Sequence, residues 1–249
     1  MSETDSLVSR VNPSIKLFLH LIAMLLLIVA KDPVTTLYLL AIPVLLSLTV
    51  ARIPLKRFLV RIAPFLVLLA TTTWMLAAYG KGTTVVYELG WFRFTEEGLS
   101  NGLNIGFRTM AFVSYGLLFT ETTDVTKLVL SLMQQCKLPP KIAYAMLAAF
   151  RFLPMFKEEY EQVKAAHRVR GVARVPGIRG KVQAVLRYTV PLLAQGIRKA
   201  ERVAVALEAR GFDGSWNRTF YRTVPITWRD GVYLVILAVL HVGVWVLVK

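Results

Sequence analysis

FLVRIAPFLVLLATTTWMLAA, residues 58–78, carries one charged side chain, Arg61, near its start and none after it. It shows neither the strict alternation of a half-buried strand nor the polar stripe of a surface helix. Wound as an α-helix at 1.5 Å per residue it reaches about 30 Å, the thickness of a bilayer's hydrocarbon core. The stretch reads as a transmembrane helix. Three more blocks repeat the pattern: IKLFLHLIAMLLLIVA at 15–30, VTTLYLLAIPVLLSLTV at 34–50 and GVYLVILAVLHVGVWVLV at 231–248. A further span is expected near 100–120, with Arg108 turned toward protein or water rather than lipid. With 55% apolar residues in 249, the chain holds more hydrophobic sequence than a soluble core of its size needs.

The expected architecture is an all-α integral membrane protein of about five transmembrane helices plus long amphipathic cytoplasmic helices. Residues 1–120 form an N-terminal bundle of about four spans, 121–229 a cytoplasmic module, and 230–249 a C-terminal transmembrane helix. The first block reads as a span rather than a cleavable leader, because Lys31-Asp32-Pro33 follows it as a hairpin and no cleavage site does. Residues 80–98, GKGTTVVYELGWFRFTEEG, read as an external loop with a short hairpin, Trp91 and Phe92 at the interface level. Thr123-Asp124 is placed to cap a helix over 125–138, and Pro139-Pro140 opens a long one.

The charge is +15, and its placement matters more than its size. Between Arg151 and Asp230 sixteen Lys and Arg stand against seven Asp and Glu, a net of +9. Basic residues of this kind, with Arg52, Lys56, Arg57 and Arg61 between the second and third spans, mark the cytoplasmic side. Nucleic-acid binding is not expected, since no recognition motif or aromatic interleaving accompanies the charge. Anionic headgroups of the lipid bilayer and acidic protein surfaces remain open as partners.

Catalytic chemistry is sparse. Gly180-Lys181 is no phosphate loop, because Val175 stands where the first Gly is required and Val182 replaces Ser or Thr. Glu96-Glu97 and Glu158-Glu159 are adjacent pairs, about 100° apart on a helix, which is poor geometry for shared acid–base work. One cysteine, Cys136, excludes internal disulfides and cysteine-rich metal sites. His20 and His241 lie inside apolar spans, where isolated histidines serve as interhelical hydrogen-bonding groups rather than metal ligands. No catalytic residue and no metal site is assigned.

The 121–229 module carries two amphipathic helices. In the first, Phe152, Phe156, Tyr160 and Val163 recur at helical spacing, with Lys157, Glu158, Glu161 and Lys164 opposite and Pro154 expected to kink it or mark its exit from the membrane. It ends at Arg170-Gly171. A basic linker, VARVPGIRGK at 172–181, leads to the second helix, about Val182 to Ala209, whose apolar seam is Leu193, Ile197, Ala200, Ala204 and Leu207. That helix ends at Arg210-Gly211. A single Arg-Gly ending is an ordinary helix stop: Gly is the preferred residue just past a C-terminus, and a cation there complements the dipole. A pair of them presents two guanidinium groups at helix tips, suited to bidentate contact with carboxylates.

These residues resemble, in order and through most of the chain, the T component of energy-coupling factor (ECF) transporters, the transmembrane coupling subunit of ABC-type micronutrient importers. NPSIKL, with Pro13 and Lys16, is similar to the family's opening Asp-Pro-Arg-x-Lys-Leu, and RFLP, Arg151–Pro154, to its Arg-Phe-x-Pro stretch. Ala209-Arg210-Gly211 matches the Ala-Arg-Gly signature in full; Val169-Arg170-Gly171 departs from it by one residue. The resemblance implies a bundle of about five spans, and coupling helices whose tips sit in two ABC-type ATPase subunits through Arg170, Gly171, Ala209, Arg210 and Gly211. It implies that Phe152 to Val163 and Leu193 to Leu207 supply the helix pair and a surface for a substrate-binding membrane S subunit. Pro13, Lys16, Arg151 and Pro154 become structural residues of the family motifs. The chain itself would bind no cofactor, ATP and Mg belonging to the partner ATPases, and would reside as a multi-pass protein in the plasma membrane of a prokaryote, serving vitamin or metal-ion uptake. The alternatives are a membrane enzyme acting on lipid and a self-sufficient channel or carrier. The first needs a convergent acidic or histidine cluster at the interface, the second polar residues lining several spans; neither pattern is found.

Overall fold

The computed structural model describes residues 6–80, 84–89, 92–171, 177–216 and 219–248. The chain divides into two compact units, Met1–Ser131 with Val224–Lys249, and Leu132–Thr223. In the first unit, helix α1 spans Pro13–Val29, α2 Pro33–Leu45, α3 Leu55–Tyr79, α4 Glu96–Thr122 and α8 Trp228–Leu247. Between α3 and α4 the strands β1, Val85–Leu89, and β2, Phe92–Thr95, pair antiparallel. This hairpin falls where the sequence places one, and it is the one sheet among the described residues. Trp91 lies outside the described residues.

Local chemistry sets the helix ends. The Asn12 side chain accepts from Ser14 N at the start of α1, and Pro13 occupies the first helical position, where its missing N–H costs nothing. Pro33 does the same for α2. Past Pro43, α2 widens into a π-turn over Leu46–Val50 that ends when Ala51 N donates to Leu46 O. Arg52 follows in the left-handed region at φ 52° and turns the chain into α3. The Thr95 hydroxyl accepts from Gly98 N at the start of α4. At α8, Thr227 and Asp230 form a capping box.

Three helical segments are long and apolar enough to cross a membrane by length and composition: Pro33–Val50, Leu55–Tyr79 and Trp228–Leu247. α1 is apolar too, at 17 residues. α4, at 27 residues, has the length but carries Asn101, Asn104 and Arg108. The protein is an all-α membrane protein. Its core gathers Leu27 of α1, Leu39 of α2, Ile62 of α3, Ala111, Tyr115 and Leu118 of α4, and Leu237 of α8. Outward-facing residues such as Leu25, Val67 and Val239 are apolar, as a lipid-facing surface requires.

α3 and α4 meet along a stripe of small residues. Gly98, Gly102 and Gly106 recur every fourth position of α4. A Cβ on Gly102 would lie 2.9 Å from both Cα and O of Thr73, so only glycine lets the two backbones approach this closely. The spacing is a small-xxx-small pattern, a signal that reading 100–120 only as a span with Arg108 passed over.

α5, Val125–Gln135, begins in the first unit and ends in the second, which also holds α6, Pro140–Val169, and α7, Gly177–Ala209. Lys127 N donates to Asp124 Oδ1, so Asp124 caps α5 where the sequence places a cap. α6 runs unbroken through Pro154. α7 starts five residues before the expected Val182: residues 177–181 of the expected linker are already helical, and 172–176 lie outside the described residues.

Candidate functional site

The two Arg-Gly endings close the two longest helices of the chain. At the end of α6, Arg170 N donates to Ala166 O and Gly171 N to Arg168 O, both at 3.1 Å. At the end of α7, Arg210 N donates to Leu207 O at 3.1 Å, and Gly211 N to Glu208 O at 2.9 Å. Phe212 N then returns to Leu207 O at 2.9 Å, completing a Schellman closure. The Phe212 ring packs edge-on against Tyr144 of α6 at 5.2 Å. Gly171 and Gly211 stand at φ 67° and 78° with open space around them. Glycine is therefore required by the left-handed turn, not by crowding.

Arg170 and Arg210 occupy equivalent positions, each the last residue before the left-handed glycine, and both are exposed, as are Gly171, Ala209 and Gly211. Val169 beside Arg170 is 89% exposed. The two helix ends thus present a guanidinium next to an uncovered apolar or alanine residue, where each terminal carbonyl cluster favours the cation.

The expected apolar seam is divided by the structure. On α6, Phe152, Phe156 and Val163 are half-buried, and Tyr160, at the rim, meets Tyr188 of α7 edge-on at 5.7 Å. On α7, Leu207 is half-buried, but Ala200 and Ala204 are exposed and Leu193 and Ile197 are each 61% exposed. The half-buried line of α7 is Tyr188, Leu192, Gly196, Lys199, Val203 and Leu207, offset by one residue from the seam over most of its length. That offset rotates the helix by about 100°. As the packing line of the helix pair, Leu193–Ala204 is therefore corrected. Choosing the seam by apolarity passed over its polar members: Lys199 pairs with Glu159 of α6, and Gly196 receives the Phe156 ring, which a Cβ there would approach to 3.0 Å. Tyr188 also meets His167 at 5.6 Å. Arg151 and Pro154 are exposed on α6.

In the first unit Lys16, His20, Arg108 and His241, four ionisable residues within the helices, each make side-chain hydrogen bonds. Lys16 is fully buried and donates to Thr122 O at 3.1 Å, Thr122 Oγ1 at 3.2 Å and Thr123 Oγ1 at 3.3 Å. Pro13 opens the same helix, and Asn12 N donates to Asp230 Oδ1 at 2.6 Å. Arg108 donates to Ala30 O at 2.6 Å and to Asn104 Oδ1 at 3.2 Å, so it faces protein. His20 Nε2 lies 2.7 Å from the Tyr233 hydroxyl and His241 Nε2 lies 3.1 Å from that of Tyr115. Both histidines thus join helices through hydrogen bonds. Among the described residues no group of three His, Cys, Asp or Glu is placed to hold a metal.

Comparison with known proteins shows the family. The CbiQ family, described as cobalt transport protein, matches residues 4–221. The energy-coupling factor transporter transmembrane protein EcfT of Streptococcus thermophilus is 30% identical over 247 residues, covering 96% of this chain and 92% of its own. EcfT of Exiguobacterium sibiricum is 31% identical over 201 residues, 77% of this chain and 76% of the relative. EcfT of Bacillus subtilis is 29% identical over 243 residues, 94% and 91% respectively. A match over nearly the whole length, on a chain whose apolar helices and paired Arg-Gly ends were already in view, places it: the protein belongs to the CbiQ family of energy-coupling factor transporter transmembrane proteins.

Proposed function

We propose that the chain is the energy-coupling subunit of an ABC-type importer, relaying ATP-driven motion of two ATPase subunits to a separate substrate-binding membrane subunit for vitamin or metal-ion uptake. The observation that carries this reading is the pair of exposed arginines at equivalent capping positions on α6 and α7. A guanidinium held at a rigid helix tip is pre-organised for a two-pronged contact with carboxylate, so each ATPase would receive one tip in an acidic groove. Arg170 and Arg210 are mechanical anchors on this reading, Gly171 and Gly211 hold their geometry, and Ala209 leaves room beside the second. The exposed Leu193 and Ile197 face of α7 offers the apolar surface for the substrate-binding subunit. ATP and Mg belong to the partners, and this chain neither hydrolyses ATP nor holds a cofactor. Its place is the plasma membrane of a prokaryote, spanned several times.

Affinity purification of the tagged chain from its native membrane tests this. Two ATPase chains are expected to copurify stoichiometrically, and Arg170→Glu combined with Arg210→Glu is expected to release them while the membrane helices keep their thermal midpoint. Retention of the ATPases by the double variant, together with ATP-dependent uptake, refutes the anchor role.

A further inference from the structure

α7 carries more apolar residues than it buries. Val185, Leu186, Val190, Leu193, Ile197 and Val205 are all more than half exposed, while the line facing α6 includes a glycine and a lysine. Apolarity alone does not fix which face of α7 turns inward. A rotation by one residue would turn Thr189, Leu193, Ile197, Ala200, Ala204 and Glu208 onto α6 in place of Tyr188, Leu192, Gly196, Lys199, Val203 and Leu207, two faces of comparable apolar content. Specific contacts select between them.

Two contacts do so. The Lys199 ammonium pairs with Glu159 Oε1, and both side chains are four-fifths buried or more. The second carboxylate oxygen, Glu159 Oε2, is buried without a hydrogen-bond partner, so separating the pair would leave a carboxylate bare among helix side chains, a costly state. Three residues earlier on each helix, Phe156 seats on Gly196, a position open only because position 196 has no side chain. Rotating α7 by one residue would strip Glu159 of its cation and push a side chain into the Phe156 ring. A buried polar pair that costs stability yet excludes an alternative packing is a known use of such pairs.

We propose that Glu159, Lys199, Phe156 and Gly196 are positioning residues that select the rotation of α7, keeping the Leu193–Ile197 face turned outward for the substrate-binding subunit. The inference rests on the transporter reading for its purpose, but the rotation can be measured without it. In a Cys136→Ser background, Ile197→Cys reports the rotation through its rate of reaction with N-ethylmaleimide in the detergent-purified chain. Glu159→Leu with Lys199→Leu removes the polar pair and keeps an apolar contact, so the helices stay folded while the selection is lost. Labelling at position 197 is expected to slow by about fivefold or more, the lower end of what losing a coupling interaction removes. Recovery of the substrate-binding subunit with the tagged complex is expected to fall in the same proportion.

The exchange Glu159→Lys with Lys199→Glu restores the pair with its charges reversed and is expected to return both readouts to the starting values. Glu159→Gln is the milder variant and keeps the size of the side chain; it is expected to give an intermediate labelling rate. A double-leucine protein that labels and copurifies as the unmodified chain does overturns the proposal. So does a folded charge exchange that behaves like the double-leucine protein. Should no partner subunits copurify with the unmodified chain, the transporter reading fails, and the labelling rates still decide whether the pair selects the rotation.

Discussion

Lys16 and Arg108 show what an ionisable residue inside an apolar helix is for when it is not part of a reaction. Each is spent on the last carbonyls of the other's helix: Lys16 of α1 reaches Thr122 O at the end of α4, and Arg108 of α4 reaches Ala30 O just past the end of α1. Terminal carbonyls have no intrahelical donor and carry the negative end of the dipole, so a cation satisfies both needs at once. Lys16→Met removes the desolvation cost of a buried charge but leaves acceptors at Thr122 and Thr123 without this donor. Because all three Lys16 bonds are made in good geometry, the loss is expected to win, lowering stability by about 1–3 kcal/mol. Thermal unfolding of the detergent-purified protein measures it, and an unchanged or raised midpoint contradicts the capping role. The left-handed glycines are a second residue-scale device. Gly211→Ala is expected to strain the α7 closure by about 1–2 kcal/mol and to speed amide exchange at Gly211 and Phe212 roughly tenfold per 1.4 kcal/mol. The membrane helices would exchange as before; protection at Gly211 and Phe212 equal to that of the parent contradicts it.

At the scale of elements, α4 and α7 mark what a sequence tells and what it hides. The Gly98, Gly102, Gly106 spacing states in advance that a helix will approach α4 closely, although not which one; the Thr73 backbone supplies that answer. Gly102→Leu is expected to force α3 and α4 apart and cost about 1–3 kcal/mol. Gly116→Ala, at a position with open space, is expected to be neutral or stabilising by up to about 1 kcal/mol. Equal thermal midpoints for the two variants would remove the close-packing argument. α7 is the opposite case. Its amphipathic pattern and its Arg-Gly end were legible, but its rotation was not, because apolar residues outnumber the places where they are buried. The choice between two faces lies in Lys199 and Gly196, which an apolar count discards, and their partners Glu159 and Phe156 lie forty residues away in sequence. Long-range pairs of this kind become visible only in three dimensions.

The bundle as a whole assigns its ends. Asn12 at the start of α1 bonds Asp230 at the start of α8, Lys16 bonds the end of α4, and Glu121 near that end pairs with Arg57 and Arg61 early in α3. Arg108 and Asn104, nearer the start of α4, hold Ala30 O and Lys31 O beyond the far end of α1. The starts of α1, α3 and α8 and the end of α4 therefore share one end of the bundle, and the end of α1 and the start of α4 share the other. The apolar blocks made the helices legible, and the basic residues Arg52, Lys56, Arg57 and Arg61 fall at the first end, for which the positive-inside rule predicts the cytoplasmic side. If α1, α2, α3, α4 and α8 all cross the bilayer, the chain enters on the cytoplasmic side and leaves on the outer side. Single cysteines at Leu7 and Leu247, both exposed, in a Cys136→Ser background test this in intact cells with an impermeant maleimide. Position 247 is expected to label from outside and position 7 only after the cells are opened. Labelling of both from the same side requires an even number of crossings, and α1, which at 17 residues falls below the 18 of the Pro33–Val50 segment and the lengths of α3, α4 and α8, would be the first to be reassigned.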